Sequence, residues 1–194
     1  VYLAFLLEGY RVEQQNEQKR QQIYSSLYSM FHGFSSDMEQ SKSFKDKFSE
    51  PFLEDYEDGE MPRLKALPFW GSGFSANTWG AMLQAGGIDL LDVDFILKVE
   101  FFFSNIRFLD KRLGNINSLY NRYLLPNINA DTSTFYNMDT KKIRPQYDWY
   151  VRFLRFFPSY MQRLEKRSEK ILSELEQKMT KQQLKVAKEN LRQP

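Results

Sequence analysis

Residues Phe95 to Tyr123 read FILKVEFFFSNIRFLDKRLGNINSLYNRY and contain the clearest periodic pattern of the chain. Large apolar residues recur there at alternating steps of four and three: Phe95, Val99, Phe102, Ile106, Leu109, Leu113, Ile116, Tyr120 and Tyr123. Such steps place side chains on one stripe of an α-helix. The stretch therefore predicts a long bundle helix, which Asp92 can cap and Pro126 ends.

A second stripe with the same spacing begins just after Pro145. Its members are Tyr147, Tyr150, Leu154, Phe157, Met161, Leu164, Ser168, Ile171 and Leu175. Pro158 lies inside this stripe, but the spacing continues across it, which favours one kinked helix over two separate helices. Because a polar loop joins the two stripes, we expect their helices to pack as antiparallel neighbours.

The first 34 residues contain no proline and predict a third long helix. Its middle, Glu13 to Gln22, has no apolar residue, which is typical of a helix that bridges through solvent. Residues 35–74 predict a short helix at about Asp37 to Phe48 and then irregular structure, because prolines, glycines and the acidic stretch LEDYEDGEM follow. A further short helix is expected at about Ala76 to Gln84.

The predicted fold is all-α: an elongated helical bundle built on three long helices, with shorter helices and an irregular central segment. Residues 1–22 are interpreted as the end of a membrane or juxtamembrane helix and residues 23–175 as the bundle domain. Residues 176–194 are interpreted as a polar helical C-terminal extension, whose last turns protrude or fray.

The composition excludes several classes of protein. A hydrophobic content of 42% excludes general intrinsic disorder. Lys and Arg total 27 and Asp and Glu total 25, and the two signs are interleaved, so no nucleic-acid partner is expected. The absence of cysteine excludes a disulfide framework, a zinc knuckle and a thiol nucleophile.

The N-terminal stretch VYLAFLLEGYRV passes abruptly into the polar run EQQNEQKRQQ. Its uncharged part, Val1 to Leu7, is far shorter than the roughly 20 residues that a spanning helix needs. Two interpretations remain open: the end of a truncated membrane helix, which the abrupt change favours, or an ordinary buried helix start.

Catalytic chemistry has little support in the sequence. His32 is the only histidine, so a histidine metal site or a Ser-His-Asp triad is difficult to build, and a structural role near a helix end is expected. The acidic stretch does not match a calcium loop, and Asp89, Asp92 and Asp94 suit helix capping. We predict no catalytic residue, no metal and no cofactor.

Two sets of residues are candidate contacts. The glycine-aromatic segment supplies Phe69, Trp70 and Phe74, with Trp79 following, and such rings on a flexible backbone suit ligand or partner contact; a loop pinned over the bundle is the alternative. Arg152, Arg155 and Arg163 can contact an anion or lipid head groups, although interleaved glutamates favour an ordinary solvated face.

The order EGYRVEQQNEQKRQQIYSSLYSMF, TWGAMLQAGGIDLLDVDFILKVEFFF and NRYLLP resembles a group of uncharacterised bacterial single-pass membrane proteins. The likeness covers roughly residues 1–126. It implies a membrane-anchored, mostly α-helical domain at the bacterial inner membrane, with the domain on the extracytoplasmic side. It implies no activity and no functional residues.

Two function classes follow. One is a non-catalytic, membrane-anchored envelope module that senses a ligand or binds protein partners, with a homo-oligomer as a further expectation. The alternatives are a carboxylate-dependent enzyme or an accessory subunit of a membrane complex.

The stripes generate a stability prediction. Truncation of Phe102, Ile106, Leu109 or Leu154 to alanine should lower the free energy of unfolding by about 2 to 5 kcal/mol, because each lies mid-stripe. Lys111→Ala should change it by no more than about 0.5 kcal/mol. Urea melts that show equal losses in both sets would contradict the stripe assignment.

Overall fold

The computed structural model describes residues 2–68, 76–84 and 88–191 and is all-α, as the sequence predicts. Its helices are α1 (Tyr2–Phe44), α2 (Glu50–Glu57), α3 (Ala76–Met82), α4 (Val93–Leu119), α5 (Thr132–Phe135), α6 (Asp148–Lys178) and α7 (Lys181–Asn190). A π-helical turn, Lys45–Ser49, joins α1 to α2, and a second, Tyr120–Leu124, prolongs α4. Among the described residues, no helix combines the length and apolar content needed to cross a bilayer.

Both predicted stripes face the interior. All nine members of the α6 stripe are buried, from Tyr147 to Leu175. Six members of the α4 stripe are buried, and Leu113, Ile116 and Tyr123 are partly exposed. The alternation of three and four therefore identified the buried face of the two helices, and α6 continues through Pro158 as one helix.

The chain forms two compact units, and each long helix contributes segments to both. The first unit is drawn from Val1–Ser35, Phe74–Ile106 and Lys166–Pro194. Its core is aromatic: Tyr24 meets Phe95 edge to face at 5.7 Å, and Phe31 packs on Phe102 at 4.8 Å. Ring pairs of this kind contribute about 0.5 to 1.5 kcal/mol beyond their buried area.

The second unit is drawn from Ser36–Gly73 and Arg107–Glu165. Phe44 meets Phe157 edge to face at 5.7 Å, and Phe52 meets Tyr150 at 5.2 Å. The irregular segment after α2 is fixed by a buried hydroxyl, because the Tyr150 hydroxyl donates to the carbonyl of Lys65 and accepts from its N–H, both at 3.1 Å. Burial raises the pKa of Tyr150 far above its usual value, so this hydroxyl stays protonated.

The prediction of irregular structure from residue 49 onward was wrong for residues 50–57, which form α2. Pro51 does not interrupt this helix because it lies in the first turn, where a missing N–H costs little. The predicted break between a first helix and a second at Asp37 is also absent, since α1 continues to Phe44. Irregular structure in this region is confined, among the described residues, to 58–68.

The π-helical turn before α2 serves a neighbouring helix. Proline at position 158 has no N–H, so the carbonyl of Leu154, four residues earlier, loses its helical donor. The hydroxyl of Ser49, the last residue of the π turn, donates to that carbonyl at 2.7 Å, and Ser49 is 1% exposed. Ser49 thus replaces the hydrogen bond that Pro158 removes.

Six of the ten residues from 13 to 22 are exposed, as the prediction of a solvated stretch implies, but two polar side chains of this stretch hold backbone groups. Gln21 is buried; its amide donates to the carbonyl of Lys178 at 3.1 Å, and its Oε1 accepts from the N–H of Thr180 at 3.2 Å. Arg20 donates to the carbonyl of Leu90 at 2.7 Å. These backbone groups lie at helix ends and need partners from elsewhere.

Within the predicted C-terminal extension, residues 181–190 form α7, which is held by contacts rather than frayed. Thr180 caps α7, its hydroxyl accepting from the N–H of Gln183. Ala187 of α7 is buried, and Lys188 forms an ion pair with Glu176 at 2.9 Å. These contacts pack α7 within the first unit.

Ser49→Ala should lower the free energy of unfolding by about 1 to 3 kcal/mol, because it leaves the buried Leu154 carbonyl without a donor. In a Pro158→Ala background the same change should cost less, since residue 158 regains an N–H for that carbonyl.

The measurement is a double-mutant cycle in urea. Ser159→Ala is the control, because its exposed hydroxyl donates to a carbonyl that already belongs to the helix, and it should cost no more than about 0.5 kcal/mol. Equal costs of Ser49→Ala in both backgrounds would contradict the replacement role.

Candidate functional site

One candidate site is a cavity of about 380 Å³ in the second unit, lined by residues of α4 and α6. Its lining residues are Phe108, Lys111, Arg112, Asn115, Ile116 and Leu119 from α4, and Trp149, Arg152 and Phe153 from α6. We call this cavity the basic aromatic groove. Five of these nine side chains are apolar, three are cationic, and none is acidic.

The helical period explains why these residues meet. On α4 they recur at steps of three and one, which gives a face that overlaps the edge of the buried stripe at Ile116. Phe108 lies 5.8 Å from Tyr160, and the guanidinium of Arg112 lies 4.3 Å from the ring of Phe156, so the two helices run antiparallel here. The same register brings Leu119 opposite Trp149.

Arg112 is held against aromatic rings. Its guanidinium lies over Phe156 at 4.3 Å and near Phe108 at 6.0 Å. Stacking uses the face of the guanidinium and leaves the N–H groups at its edge free for an anion. In the part of the chain that the structure describes, neither Lys111 nor Arg112 forms an ion pair with a carboxylate.

Arg152 is a different kind of cation. Its Nε lies 2.5 Å from an oxygen of Asp148, one helical turn earlier, so its charge is largely balanced. The three cations of the groove carry three positive charges, and Asp148 balances one of them. The groove therefore has a net charge of two positive units. The electrostatic surface is therefore suited to an anion of low charge.

Trp149 contributes a partly buried side chain to the wall. Its ring meets Tyr150 edge to face at 5.8 Å, and its buried Nε1 has no hydrogen-bond partner among the described residues. A buried N–H without an acceptor costs about 1 to 3 kcal/mol. Groups left in this state are uncommon in folded proteins.

Of the three arginines predicted to contact an anion, only Arg152 lines the groove. Arg155 pairs with Glu57 at 2.8 Å, and the guanidinium of Arg163 lies 5.4 Å from the ring of Tyr160. The three therefore do not converge on one ligand. Their spacing along α6 places them on one broad side, but each is held by a different neighbour.

The aromatic candidates have separate outcomes. Phe69, Trp70 and Phe74 lie outside the described residues, so their contact role stays a prediction. Trp79 is 1% exposed, stacks on Phe103 at 5.7 Å and donates its N–H to Glu100 at 2.7 Å. Trp79 is therefore a core residue with no surface to offer a partner.

Phe108, Arg112 and Trp149 were not among the predicted contact residues. Phe108 and Arg112 are one turn apart on α4, next to the buried stripe. An aromatic ring and a cation at this spacing can contact each other, and this was the sequence pattern that could have indicated the site. Trp149 precedes a stripe residue, Tyr150. Its place in the groove could not be predicted because the other wall is formed by residues of α4.

His32 belongs to a titratable cluster in the first unit rather than to a helix end, which corrects its expected position. It lies within α1, with its ring 4.5 Å from that of Tyr28. The Tyr28 hydroxyl donates to Glu176 at 3.1 Å, and Glu176 pairs with Lys188. Burial lowers the pKa of His32, against the opposing effect of Glu176, and the ammonium of Lys188 lowers it further.

Carboxylates of the first unit are engaged by lysines. Lys178 pairs with Asp92 and lies 5.6 Å from the ring of Phe95, and Lys98 pairs with Glu174 at 2.7 Å. The hydrogen bond from Lys178 lowers the pKa of Asp92. Within the described ranges, no group of three histidines, aspartates and glutamates is arranged to hold a metal ion.

Comparison with protein-family models, curated protein sequences and solved structures finds no match to this chain. The resemblance to bacterial single-pass proteins stays a prediction, and the site rests on its own geometry.

Stability should fall as the pH decreases below about 6.5, the ordinary pKa of histidine. Because the folded pKa of His32 is lowered, the unfolded chain binds a proton first, and stability is lost until the pH passes the folded pKa. Urea melts between pH 7.5 and 5 should show this loss in the wild type but a smaller one in His32→Gln. Identical pH profiles would contradict the assignment; Glu176 and Asp92 titrate below this range, since their pKa values are lowered.

Proposed function

We propose that this chain is a non-catalytic module that acts by binding a ligand, with the basic aromatic groove as its binding site. The observation that carries the proposal is the pair Lys111 and Arg112, two neighbouring cations that line an aromatic cavity and have no carboxylate partner among the described residues. Concave, mainly apolar sites with a few placed polar groups are the usual form of a small-molecule site.

The aromatic contacts of Arg112 distinguish it from an ordinary solvated cation. Several basic side chains elsewhere are paired with carboxylates: Lys42 with Glu165, Lys45 with Glu50, Lys98 with Glu174 and Lys188 with Glu176. Arg112 instead lies over the ring of Phe156 at 4.3 Å, and this contact restricts its side chain, so part of the conformational cost of binding is met before a ligand arrives.

The groove favours binding over the alternative of carboxylate catalysis. Acid–base hydrolysis by paired carboxylates needs two such groups facing a substrate. The lining of the groove contains no Asp or Glu, and the nearby Asp148 is engaged by Arg152. A reaction at this site would need chemistry that its residues do not supply.

A second candidate function, binding a protein partner, has an observation of its own. Val93, Leu97 and Phe101 follow at steps of four on α4 and are 70%, 61% and 55% exposed. Exposed apolar side chains on one helix face are typical of an interaction surface. This surface lies in the first unit, so its role is independent of the groove; it suits an accessory subunit or a homo-oligomer.

We further propose that the module is membrane-anchored in a bacterial envelope, as the resemblance implies. Leu7, Tyr10 and Val12, near one end of α1, are half or more exposed and support an apolar neighbour there. The ligand-binding proposal does not depend on this anchoring.

The test is a thermal-shift screen of small anionic and neutral compounds on three proteins: wild type, Arg112→Gln and the control Arg163→Gln. Arg163 also lies over a ring of the second unit but does not line the groove. A ligand present at 100 times its Kd stabilises the folded state by about 2.7 kcal/mol, which corresponds to about 5 to 10 °C in a protein of this size.

Compounds that stabilise wild type and Arg163→Gln should lose most of the shift in Arg112→Gln. Equal shifts in all three proteins, or no shift by any compound, would refute the groove as the functional site.

A further inference from the structure

The arrangement of charge and apolar surface along the groove restricts its ligand. On α4, Lys111 and Arg112 are followed by Ile116 and Leu119, one and two turns further on. At about 1.5 Å per residue, the seven residues from Arg112 to Leu119 span about 10 Å. A cationic end is thus continuous with an apolar track.

The opposite wall repeats this order. Phe156, on the α6 side, lies under Arg112, whereas Phe153 and Trp149 follow toward the end that faces Leu119. Arg152 projects from the same wall, but its charge is balanced by Asp148. Uncompensated positive charge is therefore concentrated near Lys111 and Arg112, and the remaining length is mainly apolar.

Two other ligand classes fit less well. A small inorganic anion would use the cations and leave Ile116, Leu119 and Trp149 in contact with water. A multiply charged anion such as a nucleoside triphosphate carries more negative charge than two free cations can balance, and desolvating the excess charge is costly.

We propose that the ligand of the groove is an amphiphile with one anionic head group and a single apolar chain, of the class of long-chain carboxylates. This inference rests on the proposed ligand-binding function and names the class of molecule. The head group binds the edge of the Arg112 guanidinium together with the Lys111 ammonium. The chain lies along Ile116 and Leu119 and against Trp149.

The experiment is isothermal titration calorimetry of the whole chain with dodecanoate, at concentrations below those at which it forms micelles. Dodecan-1-ol carries the chain without the charge, and acetate carries the charge without the chain. We expect dodecanoate to bind at one site per chain, at least about tenfold more tightly than either of the other two compounds, since charged hydrogen bonds and buried methylene groups each contribute.

Variants of the groove separate the contribution of the charged head group to binding from that of the apolar chain. Arg112→Gln should weaken dodecanoate binding about tenfold or more and leave dodecan-1-ol unchanged. Leu119→Ala should weaken dodecanoate several-fold and leave acetate unchanged. Arg163→Gln should bind like the wild type. Circular dichroism melts establish that each variant is folded, which is expected because Arg112 is exposed and Leu119 is only partly buried.

Three results would overturn the inference: dodecan-1-ol binding as tightly as dodecanoate, acetate binding as tightly as dodecanoate, or Arg112→Gln binding dodecanoate like the wild type. If dodecanoate fails while screen compounds still depend on Arg112, the ligand class is wrong and the ligand-binding function stands. If neither dodecanoate nor any screen compound binds in an Arg112-dependent way, both fail.

Discussion

The carbonyl of Leu154 sets a constraint on the second unit. A proline in the middle of α6 leaves this buried group without its donor, and an unpaired buried carbonyl would cost about 1 to 3 kcal/mol. The donor comes from Ser49, which reaches the carbonyl because the chain makes a π-helical turn immediately before α2. With that bond in place α6 runs unbroken from Asp148 to Lys178, and one side of it supplies a wall of the groove.

The same principle recurs at a helix end and in the segment after α2. Gln21 serves the carbonyl of Lys178 and the N–H of Thr180, and Tyr150 serves both backbone groups of Lys65. The Tyr136 hydroxyl donates to the carbonyl of Pro62 at 2.7 Å. In each case a long polar side chain from elsewhere in the chain supplies the hydrogen-bond partner that the backbone lacks locally.

The buried helix faces could be predicted from the sequence because they follow the helical period. Contacts that depend on a second helix or loop could not be predicted in this way. The nine α6 stripe residues could be identified because burial of a helix face has a local signature. Gln21 looked solvated because its partners lie 157 and 159 residues away. Pro51 looked like a break because its tolerance depends on its position within a turn. The groove was not predicted for a similar reason: Arg112 is recognisable as a site residue only from its contact with Phe156, which lies on another helix.

The π-helical turn also determines which face of α2 points toward the core. The N–H of Glu50 donates to the carbonyl of Lys45, five residues earlier, so the turn contains one residue more than an α-helix would use. Loss of a single residue between 45 and 49 would rotate everything after it by about 100°. Phe52 would then turn away from Tyr150, and the Ser49 hydroxyl would no longer reach the carbonyl of Leu154. In evolution this segment can therefore exchange side chains far more readily than it can change length.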